Sequence, residues 1–237
     1  MGQTAHPINS VAPPSSDAET RGVASAPKPV FSIQVRELVE FALRRGDLGG
    51  ERDFVGPHHR ALAGTRGHQR LQRSRPAGYQ KEVPVSYDLE TPALILRVQG
   101  RIDGLLVTPR ERERPREPKP PAEPEQIRAG VDAQEVLLEE IKTVQGGWDR
   151  VADPLHWAQA RLYGFIYAHD NAREQVAIQL TYLDLDTGEL TEFRENFSLA
   201  DLTAFFQETT AVYLDWLHAH QQWCRQRDEF SRSLAFP

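Results

Sequence analysis

The sequence holds one cysteine and one methionine in 237 residues. With Cys224 as the sole thiol, no disulfide framework can staple the fold. No apolar run approaches the roughly 18 residues that a membrane-spanning helix needs, and the N-terminus lacks the basic start and apolar core of a secretory signal. These absences predict a cytoplasmic protein without a membrane partner. There is no internal repeat and no phosphate-binding loop of the GxxxxGK[ST] type, so the chain carries no nucleotide-driven motor of its own. Positive charge is in deficit, with 28 Lys and Arg against 34 Asp and Glu and a formal net charge of -6. A uniformly acidic surface would repel a polyanion.

What is present is unevenly distributed. From Arg52 to Lys81 the charged residues are basic apart from Asp53, with Arg60, Arg66, Arg70, Arg73 and Lys81 spaced along the stretch. Such a patch is either a solvated helix face or the grip for a polyanion such as DNA. The hydrophobic content of 39% supports one sizeable core. Residues 1–29 are rich in Ser, Pro, Ala and Gly without apolar periodicity, the pattern of a disordered arm, so the domain is expected over 30–237. "SIQVRELVEFALRRGDLGG" reads as a helix capped by Ser32, with Val35, Leu38, Val39, Ala42 and Leu43 on one face and a stop at Gly46. A basic helix is predicted over His59 to Arg73.

Strand-like runs follow at 79–89, 93–98 and 101–107, with Gln99-Gly100 as a turn between the last two. The charged, proline-dense stretch 108–130 reads as a solvent-exposed insertion between paired strands. Beyond the next strand, Asp153 to Asp170 makes an amphipathic helix with Pro154 near its start. Residues 174–196 form a hairpin turning at Asp186-Thr187-Gly188, and a long helix runs from Ser198 to about Phe230. The fold class is therefore α/β, a central mixed sheet flanked by helices with a long C-terminal helix.

The stretch "VLLEEIKTVQGG", Val136 to Gly147, places charge on a strand that otherwise looks buried, and buried ions are costly unless compensated. Alternation puts Leu138, Glu140 and Lys142 on one face and Glu139 and Ile141 on the other, so Lys142 pairs with Glu140. The pair is either a structural salt bridge or part of a site for a hard cation such as Mg²⁺, which prefers carboxylate oxygens. Asp103, in "GRIDGLL", could supply a second carboxylate; Asp-Gly is equally a hairpin signal. His68 is either a surface or packing residue or a ligand. Gln159 and Tyr163 share a helix face at i and i+4, a spacing that also serves ordinary packing.

Taken in order, Gly64 to His68 (G-x-x-x-H), Gly100 to Asp103 (G-x-I-D), Glu140 with Lys142 (E-x-K) and Gln159 with Tyr163 (Q-x-x-x-Y) resemble the PD-(D/E)XK nuclease superfamily, in the branch typified by the RecB nuclease domain. Over residues 31–237 the chain is similar to the nuclease-like N-terminal region of bacterial XPD/DinG-type DNA helicases, to which "QVRELVEFALRRGDL" and the ending "RSLAFP" contribute. The resemblance implies a three-layer fold on a mostly four-stranded mixed sheet, and metal-dependent hydrolysis of DNA phosphodiesters in repair or processing alongside a helicase motor in cis or trans. His68, Asp103, Glu140 and the carbonyl of Ile141 would hold Mg²⁺ or Mn²⁺. Lys142 would orient the attacking water, and Gln159 and Tyr163 would contact DNA or brace the lysine. Arg60, Arg66, Arg70, Arg73 and Lys81 would grip the DNA backbone. The iron-sulfur cluster of the CRISPR-associated relatives needs four cysteines, which Cys224 alone cannot supply. Two rivals stand beside the enzyme: a catalytically inactive module of the same shape guiding DNA to a helicase, and an interaction domain using the long C-terminal helix.

Overall fold

The computed structural model describes residues 27–45, 57–109 and 134–234, with backbone alone over 57–62. Its elements in chain order are β1 (Val30–Gln34), α1 (Val35–Leu43), α2 (Pro57–Ser74), β2 (Gln80–Glu90), β3 (Ile95–Pro109), β4 (Gln134–Val144), α3 (Pro154–Asp170), β5 (Gln175–Asp184), β6 (Leu190–Ser198) and α4 (Leu199–Ser233). The strands form one six-stranded mixed sheet in the order β1-β3-β4-β5-β6, with β2 also paired to β3.

Strand β3 organises the sheet. Along one edge it pairs antiparallel with β2, from Leu105 opposite Gln80 to Ile95 opposite Glu90. Its other edge is shared. Parallel β1 takes Ile95 to Gln99, and antiparallel β4 takes Gly104 to Pro109. Between the two ladders lies a fork over Gly100 to Asp103, where the carboxyl ends of β1 and β4 approach from opposite directions.

Several sequence expectations change here. Gln99-Gly100 is not a turn, because β3 runs through it, held by β2 without interruption of the strand. The bend between β2 and β3 lies at Thr91 to Leu94, closed by the Thr91 N–H donating to the Leu94 carbonyl (2.8 Å). Ser32 is not a helix cap. "VFSIQ" alternates exposed and buried positions and pairs with β3, so the first helix begins after Gln34, whose backbone N–H reaches the Glu37 carboxylate (3.3 Å). Lys28 and Pro29, placed in the arm by composition, are tied to the sheet through Glu90 (2.6 Å) and the Ile95 N–H (2.9 Å). Residues 1–26, Gly46 and 110–133, which include most of the expected insertion, lie outside the described residues.

The helices cover both faces of the sheet. α3 lies on the face of Leu138 and Ile178, where Gly164 leaves room for the Ile178 and Leu202 side chains. α2 lies on the other face, its Gly64 against Thr143 and its Gly67 against Leu183. α3 reads as amphipathic in sequence but is buried nearly all round from Ala158 to Ala168, because α1 and α4 pack against it as well as the sheet. α4 is capped by Ser198, whose hydroxyl accepts from Asp201 N–H (3.1 Å). Its last buried residue is Leu217. Among the described residues, no helix is long and apolar enough to cross a membrane.

Candidate functional site

The fork carries the chemistry. Continuing the β3–β4 register past Gly104 and Glu139 puts Asp103 opposite Glu140 on the same face, but the strands have splayed by then. In place of a backbone carbonyl, the Asp103 carboxylate enters the gap and accepts the Ile141 N–H (2.8 Å). Glu140 is 3% exposed. Its Oε1 accepts from the Lys142 ammonium (2.8 Å) and from the Gln159 amide (2.8 Å), and Lys142 also donates to Gln159 Oε1 (3.1 Å). The other oxygen, Oε2, is buried with no hydrogen-bond partner. A buried carboxylate oxygen is costly to leave unsatisfied, which marks this atom as one built for a further partner.

His68 reaches the fork from α2. Its Nε2 is 3.6 Å from Asp103 Oδ1, too long for a hydrogen bond. Burial lowers its pKa, which favours the neutral ring. Burial raises Asp103 to about 7, against the opposing pull of the Ile141 N–H and Lys142. Burial, then the neighbouring charge of Asp103, likewise raises Glu140 to about 7. Tyr163, one helical turn beyond Gln159, is buried with its hydroxyl against the Arg101 N–H, and burial pushes its pKa up to about 12. Its ring lies over Gly100, where a Cβ would come within 2.7 Å of the ring edge. That close approach explains the glycine.

Asp103, Glu140, Lys142, Gln159, Tyr163 and His68 thus line a single open cavity of about 900 Å³. An adjoining cavity of about 520 Å³ shares Lys142, Gln159 and His68 with it and is flanked by Arg36, Arg44 and His156. The predicted DNA-contacting residues are elsewhere. Arg66, Arg70 and Arg73 are exposed and fall on one stripe of α2, roughly opposite to His68 and Gln72, and neither they nor the exposed Lys81 line either cavity. The Arg60 side chain lies outside the described residues.

Two residues of the site escaped the sequence reading. Gln72, one turn from His68, is 5% exposed, and its amide nitrogen lies 3.2 Å from His68 Nε2, 3.1 Å from Glu82 Oε1 and 2.8 Å from the Asp103 carbonyl. The i, i+4 spacing was its available signal. Glu82 sits in β2 with φ +53°, a left-handed conformation in a non-glycine residue, and no sequence pattern announces that. The donor atoms of His68, Glu82 and Asp103 lie within 4.8 Å of one another, a spacing that could hold a cation.

On the opposite face of β4, Glu139 enters a separate network. It accepts from the Arg75 guanidinium through both oxygens, from the Tyr79 hydroxyl (2.6 Å), from Gln179 (3.3 Å) and from Thr181.

No family model matches the chain, and no curated protein matches it. Among solved structures it is similar to the crystal structure of SSO0001, at 17% identity and a TM-score of 0.48 over 80% of this chain and 79% of that one. A likeness that distant carries no functional argument.

Proposed function

We propose that the chain is a PD-(D/E)XK-type nuclease that hydrolyses phosphodiester bonds in DNA with Mg²⁺ or Mn²⁺, in DNA processing alongside a helicase motor. One observation carries the reading: residues far apart in sequence meet at the β1–β4 fork, where Asp103 faces Glu140, Glu140 holds Lys142, and one Glu140 oxygen is buried without a partner. The helix-covered mixed sheet is compatible with that fold. The donor set, carboxylates beside a neutral imidazole, fits a hard divalent cation. His68, Asp103, Glu140 and the Ile141 carbonyl would hold it, and it would supply charge neutralisation at the phosphate and a more acidic water.

The chain's own groups do the rest. Lys142, fixed by two hydrogen bonds to Glu140 and Gln159, presents its ammonium to the cavity, where it can orient a water or stabilise charge on a phosphate oxygen. Gln159 locks the pair by donating to one and accepting from the other. Tyr163 braces the β3 backbone at Arg101. Electrostatics agrees, since the cavity wall carries Glu37, Glu82, Asp103 and Glu140 against Arg36, Arg101 and Lys142. An anionic backbone meets such a wall only when added positive charge compensates it.

The test incubates linear and circular DNA with wild type and Lys142→Ala, with Mn²⁺ and with chelator. Wild type should cut and the variant should be slower by about 100- to 1,000-fold. Wild-type cutting no better than Lys142→Ala removes the enzyme reading. Retained DNA binding would then favour the inactive guiding module.

A further inference from the structure

We infer that the second cavity, beside the fork, is a binding site for a phosphate group of a nucleic-acid strand, separate from the phosphate at Asp103 and Glu140 and held by Arg36, Arg44 and His156. The assignment rests on the reading that the fork meets nucleic acid, and does not require that the strand is cut. None of the three residues belongs to the ligand set, the lysine brace or the arginine stripe that the sequence resemblance implies.

The two cavities differ in charge. The first is acidic, whereas the second, of about 520 Å³, sets Arg36, Arg44 and Lys142 against Glu40 and Asp153. Both of those carboxylates are engaged within the protein. Glu40 Oε1 accepts from Arg36 Nε (3.0 Å), and Asp153 Oδ1 caps α3 by accepting the Leu155 N–H (2.8 Å). The terminal nitrogens of Arg36 and the whole guanidinium of Arg44 have no side-chain partner among the described residues, and both side chains are exposed. An anion can therefore enter here without the metal ion that the first cavity requires. The cavities share Lys142, Gln159 and His68, so one strand can occupy both.

His156 is set as a donor by its surroundings. Tyr182 is buried under the Trp148 ring, stacked on it at 4.4 Å, and its hydroxyl accepts the Asp153 N–H (2.9 Å). The hydroxyl's own proton has one acceptor among the described residues, His156 Nδ1 at 2.8 Å. That bond puts the ring proton on Nε2, which has no hydrogen-bond partner among the described residues, on a side chain that lines the cavity. Burial, then the charge of Lys142, pushes the His156 pKa down to about 4, so the ring is neutral at pH 7. Arg36 acts in the same direction, which places both cations about the imidazole. Two guanidiniums and a fixed imidazole N–H donate and do not accept, the complement of phosphate oxygens, which accept.

The experiment measures binding of the full chain by fluorescence anisotropy in chelator, so that binding is read without cutting. The probes are one internally labelled single-stranded oligonucleotide in two forms, with phosphates or with hydroxyls at both ends. The Arg36→Gln, Arg44→Gln double variant should bind about tenfold more weakly than wild type. Its plot of log affinity against log salt should flatten by about 0.7, the slope of one phosphate. His156→Phe should also weaken binding, with circular dichroism to verify folding, and the imidazole nitrogen shifts of wild type should show the proton on Nε2. Arg150→Gln, which removes an exposed arginine outside both cavities, should bind as wild type. A preference for phosphorylated ends that the double variant loses assigns the site to a strand terminus. Equal binding of both forms, weakened alike in the variant, assigns it to a backbone phosphate. The site is overturned if wild type binds neither form, if the double variant matches wild type in affinity and slope, if Arg150→Gln weakens binding as much, or if the proton lies on Nδ1. Binding through these residues by a chain that cuts no DNA keeps the site and removes the nuclease reading. Cutting by a chain whose double variant binds as wild type does the reverse.

Discussion

Glu139 and Glu140 are adjacent, chemically identical and both buried, yet the two faces of β4 give them different work. Glu139 is fully engaged by Arg75, Tyr79, Gln179 and Thr181, in a packed network that ties the end of α2 and the start of β2 to the sheet. Gly104 admits the Tyr79 hydroxyl there, since a Cβ at Gly104 would collide with it. Breaking such a buried pair from one side strands the other charge, so Glu139→Gln should lower the urea-derived unfolding free energy by about 3 kcal/mol. Glu140 faces the cavity with one oxygen unused, and its variants report on chemistry more than on packing. Its pKa, like that of Asp103, is raised by burial, to about 7 from the ordinary carboxylate range. The folded state therefore holds protons that the unfolded chain has already released. In chelator, stability associated with these groups is full below about pH 4 and is lost as pH rises to about 7. Glu140→Gln, which cannot ionise, should gain on wild type across that window. Thermal unfolding of both proteins at successive pH values measures the difference, and parallel curves would contradict it.

Among elements, α2 has two opposed sides. One carries Gly64, Gly67, His68 and Gln72 toward the sheet and the fork; the other carries Arg66, Arg70 and Arg73 into solvent. Replacing the three arginines by glutamine should weaken DNA binding irrespective of sequence and flatten the plot of log affinity against log salt by about 2 to 3 units of slope. An unchanged slope would assign the stripe to solvation alone. Strand β3 offers the complementary case. Gly100 lies in the fork under the Tyr163 ring, and a methyl there would press on the ring edge and hydroxyl. Gly100→Ala should cost about 1–3 kcal/mol of stability by overpacking and displace Tyr163, visible as a changed tyrosine absorbance near the site.

At the scale of the whole fold, burial among the described residues is concentrated on the sheet, α1, α3 and the first half of α4. α4 has 35 residues and spans about 50 Å, but none of its own residues beyond Leu217 is buried. Trp223 and Phe230 are 56% and 65% exposed, with Arg227 stacked on Trp223 (5.2 Å). Since little apolar surface is removed from water there, deleting residues 222–237 should change the unfolding free energy by no more than about 0.5 kcal/mol, measured by urea titration. A larger loss would mean that the distal helix supports the core.

Local pattern was enough to delimit most elements and to pair Lys142 with Glu140. Helical and strand periods are properties of neighbouring residues, and alternation on β4 needs no distant information. The end caps Asp153 and Ser198 and the hairpin turn at Asp186 to Gly188 are local in the same sense. The tertiary structure decided the rest. Ser32 reads as a cap until a partner strand is available, and "VFSIQ" becomes β1 because β3 satisfies its backbone. Gln99-Gly100 reads as a turn until β2 carries the strand through it. The fork itself, the turned backbone at Glu82 and the Gln72 hub arise from where two ladders on β3 stop, and hydrogen bonds between residues tens of positions apart set that boundary.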